Sequence, residues 1–179
     1  QEIFIVRREE KQSLLGKLLQ EHVGTVLVFS RTKHGATKIC HAIHGMGHQT
    51  AEIHSNRSLG QRREALAGFK SGKYRILVAT DIAARGIDVS GIELVINYDL
   101  PDNSEDYVHR IGRTARAGKE GKAVSFATPD QKRDVRDIER LIRKEIPVIS
   151  YGGVSFSAEL SGVRKFGSRS FRPRNRFRR

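Results

Sequence analysis

Tryptophan is missing from this 179-residue chain, cysteine and methionine occur once each, and proline only four times. A single cysteine, Cys40, cannot form an internal disulfide, which excludes a disulfide-stapled scaffold and fits a reducing, cytoplasmic setting. Long hydrophobic runs are missing too: no stretch of 18 or more apolar residues occurs, so a hydrophobic membrane helix is excluded. The opening residues alternate apolar and charged side chains and lack the form of a signal peptide. The chain also opens without an initiator Met, and is expected to be a piece of a longer protein. Acids are the scarcer charge, 20 Asp and Glu against 33 Lys and Arg, for a net charge of +13. Such an excess speaks about partners rather than fold, and the commonest polyanionic partner is nucleic acid. After Glu159 there is no acid at all but eight Lys and Arg, which leaves +5 of the +13 on residues 1–159.

What is present is an alternation. Thr25–Phe29, Arg75–Ala79, Glu93–Tyr98 and Lys122–Ala127 are short runs rich in Val and Ile, as buried strands are. Ile3–Val6 and Thr50–Ile53 are weaker strand candidates. Between them lie the helical patterns Lys11–His22, Thr37–Met46, Leu59–Lys70 and Asp130–Lys144. Strands alternating with helices imply a parallel sheet covered on both faces, a doubly wound α/β domain. No internal repeat is evident. From about Ile149 the pattern stops and Gly, Ser and Arg take over, so residues 1–149 are expected to form the domain. Residues 150–179 are expected to be a flexible basic tail, since such a segment buries too little surface to offset its ordering entropy. Within it Phe166, Phe171 and Phe177 alternate with arginines, a pattern suited to stacking on bases while cations track phosphates.

Two segments carry chemistry. The first is Tyr107-Val108-His109-Arg110-Ile111-Gly112-Arg113-Thr114-Ala115-Arg116-Ala117-Gly118. Asn103 and Ser104, followed by Glu105 and Asp106, mark a helix start. On a continuous helix His109, Arg113 and Arg116 would share one face, a like-charge cluster that an anionic ligand must offset. Guanidinium forks match phosphate oxygens bidentately. The second runs from Ile76 to Val89, where a strand feeds into Thr80, Asp81, Gly86 and Asp88. Open α/β sheets place their ligands at that carboxyl end. Cys40, His44 and His48 recur at helical spacing, but a closed metal site wants four ligands in tetrahedral array. They are expected to be ordinary helix surface, and no metal site is expected in this chain.

Thr80-Asp81 through Gly86-Ile87-Asp88, followed by His109-Arg110-Ile111-Gly112-Arg113 and Arg116, resembles motifs V and VI of the DEAD-box ATP-dependent RNA helicases. Val28-Phe29-Ser30-Arg31-Thr32-Lys33 resembles motif IV. The likeness covers about residues 1–147 and implies the second, C-terminal RecA-like domain. It implies that Arg113 and Arg116 are arginine fingers reaching the γ-phosphate of ATP, groups worth ~10³–10⁵ in rate elsewhere in phosphoryl transfer. Gly86 and Asp88 would contact the nucleotide, and His109 and Arg110 would couple the two domains through acids opposite. Arg31, Thr32, Arg62 and Thr80 would meet the RNA sugar–phosphate backbone, which carries no base information.

Three departures stand out. Ser55 follows His54 where the family usually has Gly, and Leu59 takes the position of a usual Gln, leaving Arg62 in register and Gln61 out of it. Ala115 replaces a commoner Gly. No Gly-x-x-x-x-Gly-Lys-[Ser/Thr] loop and no Asp-Glu-Ala-Asp occurs. ATP and Mg²⁺ would therefore be held mainly by an N-terminal RecA-like domain of the same protein, and this chain alone is expected to be inactive. The alternatives are a stand-alone RNA-binding or regulatory module, or a DNA translocase module. The His-Arg opening of motif VI speaks against the latter, because those relatives open it with Gln.

Overall fold

The computed structural model describes residues 1–85, 89, 92–114 and 121–156. The elements run β1 (Glu2–Ile5), α1 (Lys11–Glu21), β2 (Val26–Phe29), α2 (Lys33–Gly45), β3 (Thr50–Ile53), α3 (Leu59–Lys70), β4 (Ile76–Ala79), α4 (Asp81–Ala84), β5 (Leu94–Asn97), α5 (Ser104–Ile111), β6 (Lys122–Ala127), α6 (Lys132–Ile142) and β7 (Val148–Ser150). The strands form one sheet in the order β3-β4-β2-β5-β6-β1-β7, and every pairing is parallel. All carboxyl ends therefore meet at one edge, where α/β sheets carry their ligands.

Burial explains the composition of the strands. All four residues of β2, β4 and β5 are buried, because helices cover both faces. On one face α1 and α2 supply Leu14, Leu15, Leu18, Leu19, Ala36, Ile39 and Ile43, packed on Val26, Val28, Ile76, Val78 and Ile96. On the other, α3 brings Ala65 and Phe69 to Leu27, Leu77 and Val95, while α5 and α6 bring Tyr107, Val135 and Ile138 to Ile3 and Ile5. Cys40 joins the first of these cores rather than the helix surface, with Sγ 3.7 Å from Thr50 Oγ1. Burial pushes its thiol pKa up. Among the described residues no three His, Cys, Asp or Glu side chains come together as a metal site. Nor is any described helix long and apolar enough to cross a membrane.

Three local expectations change. The second helix begins at Lys33 rather than Thr37, because Thr32 caps it by accepting from Gly35 N at 3.0 Å. The helix of the His-Arg segment ends at Ile111, so Arg113 does not share a helical face with His109. Instead the Arg113 carbonyl accepts from Ile92 N at 3.3 Å and Thr114 bridges in parallel to Ile92, which satisfies backbone groups that another helical turn would have used. Finally, β7 crosses the boundary drawn at 149/150. Tyr151, Val154 and Phe156 pack partly buried against the cores, so the described fold extends to Phe156. Residues 157–179, most of the expected tail, lie outside the described residues.

Candidate nucleotide and RNA interface

The carboxyl edge is organised around buried charge. Lys11 stands three and four residues before Leu14 and Leu15 and so falls on the buried face of α1. Its ammonium donates to the Tyr98 carbonyl at 2.7 Å and to Asp99 Oδ1 at 2.9 Å, and lies 5.2 Å from the Tyr98 ring centre. Asp99 also accepts from Ser30 Oγ at 3.4 Å and from the Arg31 backbone N–H at 3.2 Å. Burial works against the Asp99 charge, but Lys11 and the Arg31 donor outweigh it and hold the carboxyl below its ordinary pKa. The segment Ser30-Arg31-Thr32 is thereby pinned at the end of β2.

A second knot joins the two segments that sequence reading singled out. Arg110 is 1% exposed. Its Nε and Nη2 donate to the two oxygens of Asp81 at 2.6 and 2.7 Å, and its Nη1 donates to the Asp99 carbonyl at 2.6 Å and Asn97 Oδ1 at 3.2 Å. The guanidinium also stacks 5.0 Å from the Phe29 ring. Four of the five Arg110 N–H groups are spent inside this domain, and the side chain is buried rather than facing outward as a contact to another domain would require. It ties the ends of β2, β4 and β5 together. One turn earlier, Asp106 accepts from Arg85 at 2.5 Å, a second link between the α4 turn and α5.

Arg113, expected on the nucleotide side, and His109, expected to couple the domains, line one crevice beside Asp81, Arg85 and Asp106, just outside the Arg110 knot. His109 is exposed on α5, and Arg113 follows in the turn beyond its end. Gly86, Asp88, Ala115 and Arg116 lie outside the described residues. Among the expected RNA-side residues, Thr80 sits at the end of β4, flanked by the ends of β3 and β2. Its N–H donates to the Ile53 carbonyl at 3.3 Å. Thr32 is at the end of β2. Arg31 is held by Asp102 at 3.2 Å and by the Leu100 carbonyl at 3.2 Å. Arg62 stands in the first turn of α3. Gln61 is occupied in a capping box with Ser58, which accounts for its place out of register. Leu59 is exposed.

An open polar cleft of about 920 Å³ also lies on this edge, where Arg8, Lys11 and the expected RNA-side residues Arg31 and Thr32 face Asp99, Asp130, Asp134 and Asp137. It includes neither Thr80 nor Arg113. Sequence reading missed Lys11, Asp81, Asp99 and Asp106 as organisers. The signal for one was present: a Lys on the apolar stripe of a helix requires a buried acid.

Residues 10–118 match the helicase conserved C-terminal domain family. A DEAD box protein from Methanococcus jannaschii superposes with a TM-score of 0.78 and 40% identity, covering 83% of this chain and 41% of that one. The chain belongs to the DEAD-box helicases, as a C-terminal domain. The RecA-like fold is shared with the E. coli DEAD-box protein SrmB, solved bound to regulator of ribonuclease activity A: TM-score 0.76, 32% identity, covering 82% of this helicase domain and 87% of that chain. In sequence the domain is 47% identical over 148 residues to the ATP-dependent RNA helicase DbpA of Bacillus subtilis, covering 82% of this chain and 31% of that protein. It spans between 22% and 42% of the length of the curated relatives it matches.

Proposed function

We propose that this domain is the second half of an ATP-dependent RNA helicase that unwinds or remodels RNA duplexes. The observation that carries this reading is the shared carboxyl edge: Thr80 follows β4, Ser30–Thr32 follow β2, and His109 and Arg113 line a crevice with Asp81, which Arg110 grips. RNA contacts through Arg31, Thr32, Arg62 and Thr80 would grip the sugar–phosphate backbone and be indifferent to sequence. Arg113, with Arg116 three residues on, would reach the γ-phosphate of an ATP whose Mg²⁺ and phosphates are held mainly by an N-terminal RecA-like domain. Gly86 and Asp88 would complete the nucleotide contact. His109, exposed beside Arg113, would engage the opposing domain; Arg110 is assigned instead to holding the two motifs in register. The domain thus contributes electrostatic stabilisation of transferred charge and part of the RNA track, and neither the phosphate loop nor the metal ligands.

RNA-stimulated ATP hydrolysis by the parent protein, compared with this 179-residue chain alone, tests the reading. Turnover by the parent and none by the chain is expected. Robust turnover by the isolated chain, abolished by Arg113→Ala, would overturn the division of labour.

A further inference from the structure

At the end of β3 a buried polar group stands outside both knots. His54 is 3% exposed and Glu52 9%. The Asn56 N–H lies 3.3 Å from His54 Nδ1, which must therefore accept, so the ring proton resides on Nε2. Nε2 stands 3.0 Å from Glu52 Oε2 and 3.1 Å from Thr37 Oγ1. The Arg57 guanidinium donates to the other Glu52 oxygen, and the Arg57 N–H donates to the His54 carbonyl at 3.0 Å. Burial opposes the Glu52 charge, but the hydrogen bonds from Arg57, Thr37 and His54 prevail and hold its carboxyl below the ordinary range.

The pair thus has one anchored side and one working side. Thr37 ties it to α2. Toward the loop it holds residues 55–57 at three points: a backbone N–H on the imidazole, a backbone N–H on the His54 carbonyl, and a guanidinium on Glu52. That loop runs straight into Ser58, the cap of α3, and one turn later into Arg62.

We propose that His54 is a positioning residue: its Nδ1 fixes the loop from Ser55 to Ser58 so that α3 presents Arg62 to an RNA phosphate. The proposal rests on the RNA-side reading above. Side-chain geometry offers a clean test, because Asn places a polar atom where Nδ1 stands and Gln places one where Nε2 stands. His54→Asn retains an acceptor for Asn56 but loses reach to Glu52. His54→Gln retains the Glu52 and Thr37 contacts but leaves the Asn56 N–H unpaired.

The experiment is a titration of labelled oligouridine with the full chain at fixed salt. It compares the parent sequence, His54→Asn, His54→Gln, Arg62→Ala and the His54→Gln/Arg62→Ala double variant, with thermal unfolding of each. One net hydrogen bond is worth about 1 kcal/mol, so His54→Gln is expected to weaken binding roughly fivefold. His54→Asn is expected to stay within about twofold of the parent, whatever the two do to the melting temperature. In the Arg62→Ala background His54→Gln is expected to cost nothing further, because residues acting through one contact are not additive. Equal RNA affinities for His54→Asn and His54→Gln, or full additivity with Arg62→Ala, would overturn the positioning role while leaving the RNA grip intact. No effect of Arg62→Ala alone would remove the RNA reading of α3 and the proposal with it. Should His54→Gln fail to fold, Arg57→Met cuts the third tether at a half-exposed site, and the same non-additivity with Arg62→Ala is expected.

Discussion

Arg110 shows how a single side chain can mislead when its chemistry is read without its surroundings. A guanidinium inside a run of basic residues invites an external anion, yet this one is fully buried and bidentate to Asp81. Removing one partner of a fully buried pair costs about 3 to 5 kcal/mol, and Asp81, with 22% of its side chain exposed, would be stranded at somewhat less than that. Arg110→Met is therefore expected to lower the urea midpoint of this chain by a corresponding amount. Arg110→Lys should recover only part of it, since one ammonium cannot span Asp81 and the Asp99 carbonyl together. A near-neutral Arg110→Met would show that the knot does not hold the edge. Glu52 and Asp99 give a second expectation. Both are held below their ordinary pKa, so their contribution is fully present above the unfolded value near pH 4 and is lost as pH falls through the lower folded values. Urea unfolding between pH 6 and pH 3 should show stability falling over the acid limb. In Asp99→Asn that limb should be shallower, and an unchanged limb would contradict the assignment.

At the scale of elements β2, β4, β5 and β6 were legible because burial on both faces leaves nearly continuous apolar runs, while the half-buried β1 and β3 gave only weaker signals. The helix ends were less legible. Thr32 starts α2 early by capping a turn that carries no apolar stripe, and α5 stops at Ile111 because the next residues pair with Ile92, a tertiary contact with no local signature. The three-residue strand β7 lacks alternation altogether and forms because Ile3–Ile5 offers an open edge. Beyond it, Tyr151 donates its N–H to the Ile5 carbonyl at 2.9 Å, and Phe156 packs with Val154 on the α5–α6 side. A chain ended after Ser150 is thus expected to be less stable than one ended after Phe156, by about 2 kcal/mol for the partly buried Tyr, Val and Phe. Calorimetry of the two truncations decides this; equal melting temperatures would place the end of the fold back at Ser150.

For the whole molecule, charge and site divide the labour between a mildly basic domain and a strongly basic C-terminal segment. Residues 160–179 hold eight cations and no acids. If about half engage single-stranded RNA, deleting them should flatten the dependence of log K on log salt by about 3, at roughly 0.7 per phosphate contact. Replacing Phe166, Phe171 and Phe177 with Ala should weaken binding and leave that slope unchanged. Identical slopes with and without the segment would put the RNA surface wholly on the folded domain. The family membership was legible from His109 to Arg113 and Thr80 to Asp88, because those two runs resemble the family's motifs VI and V in residue and order. The acids that hold them, Asp81, Asp99 and Asp106, were not, because their partners lie between 21 and 88 residues away in sequence. The central claim is that Arg113 works on a phosphate bound by another domain. Its most direct test is RNA-stimulated ATP turnover by the parent helicase carrying Arg113→Lys, with ATP and RNA affinities measured alongside. Lys keeps the charge and loses the fork, so turnover should fall by a factor on the order of 10³ with the fold intact; turnover near that of the parent would contradict the account.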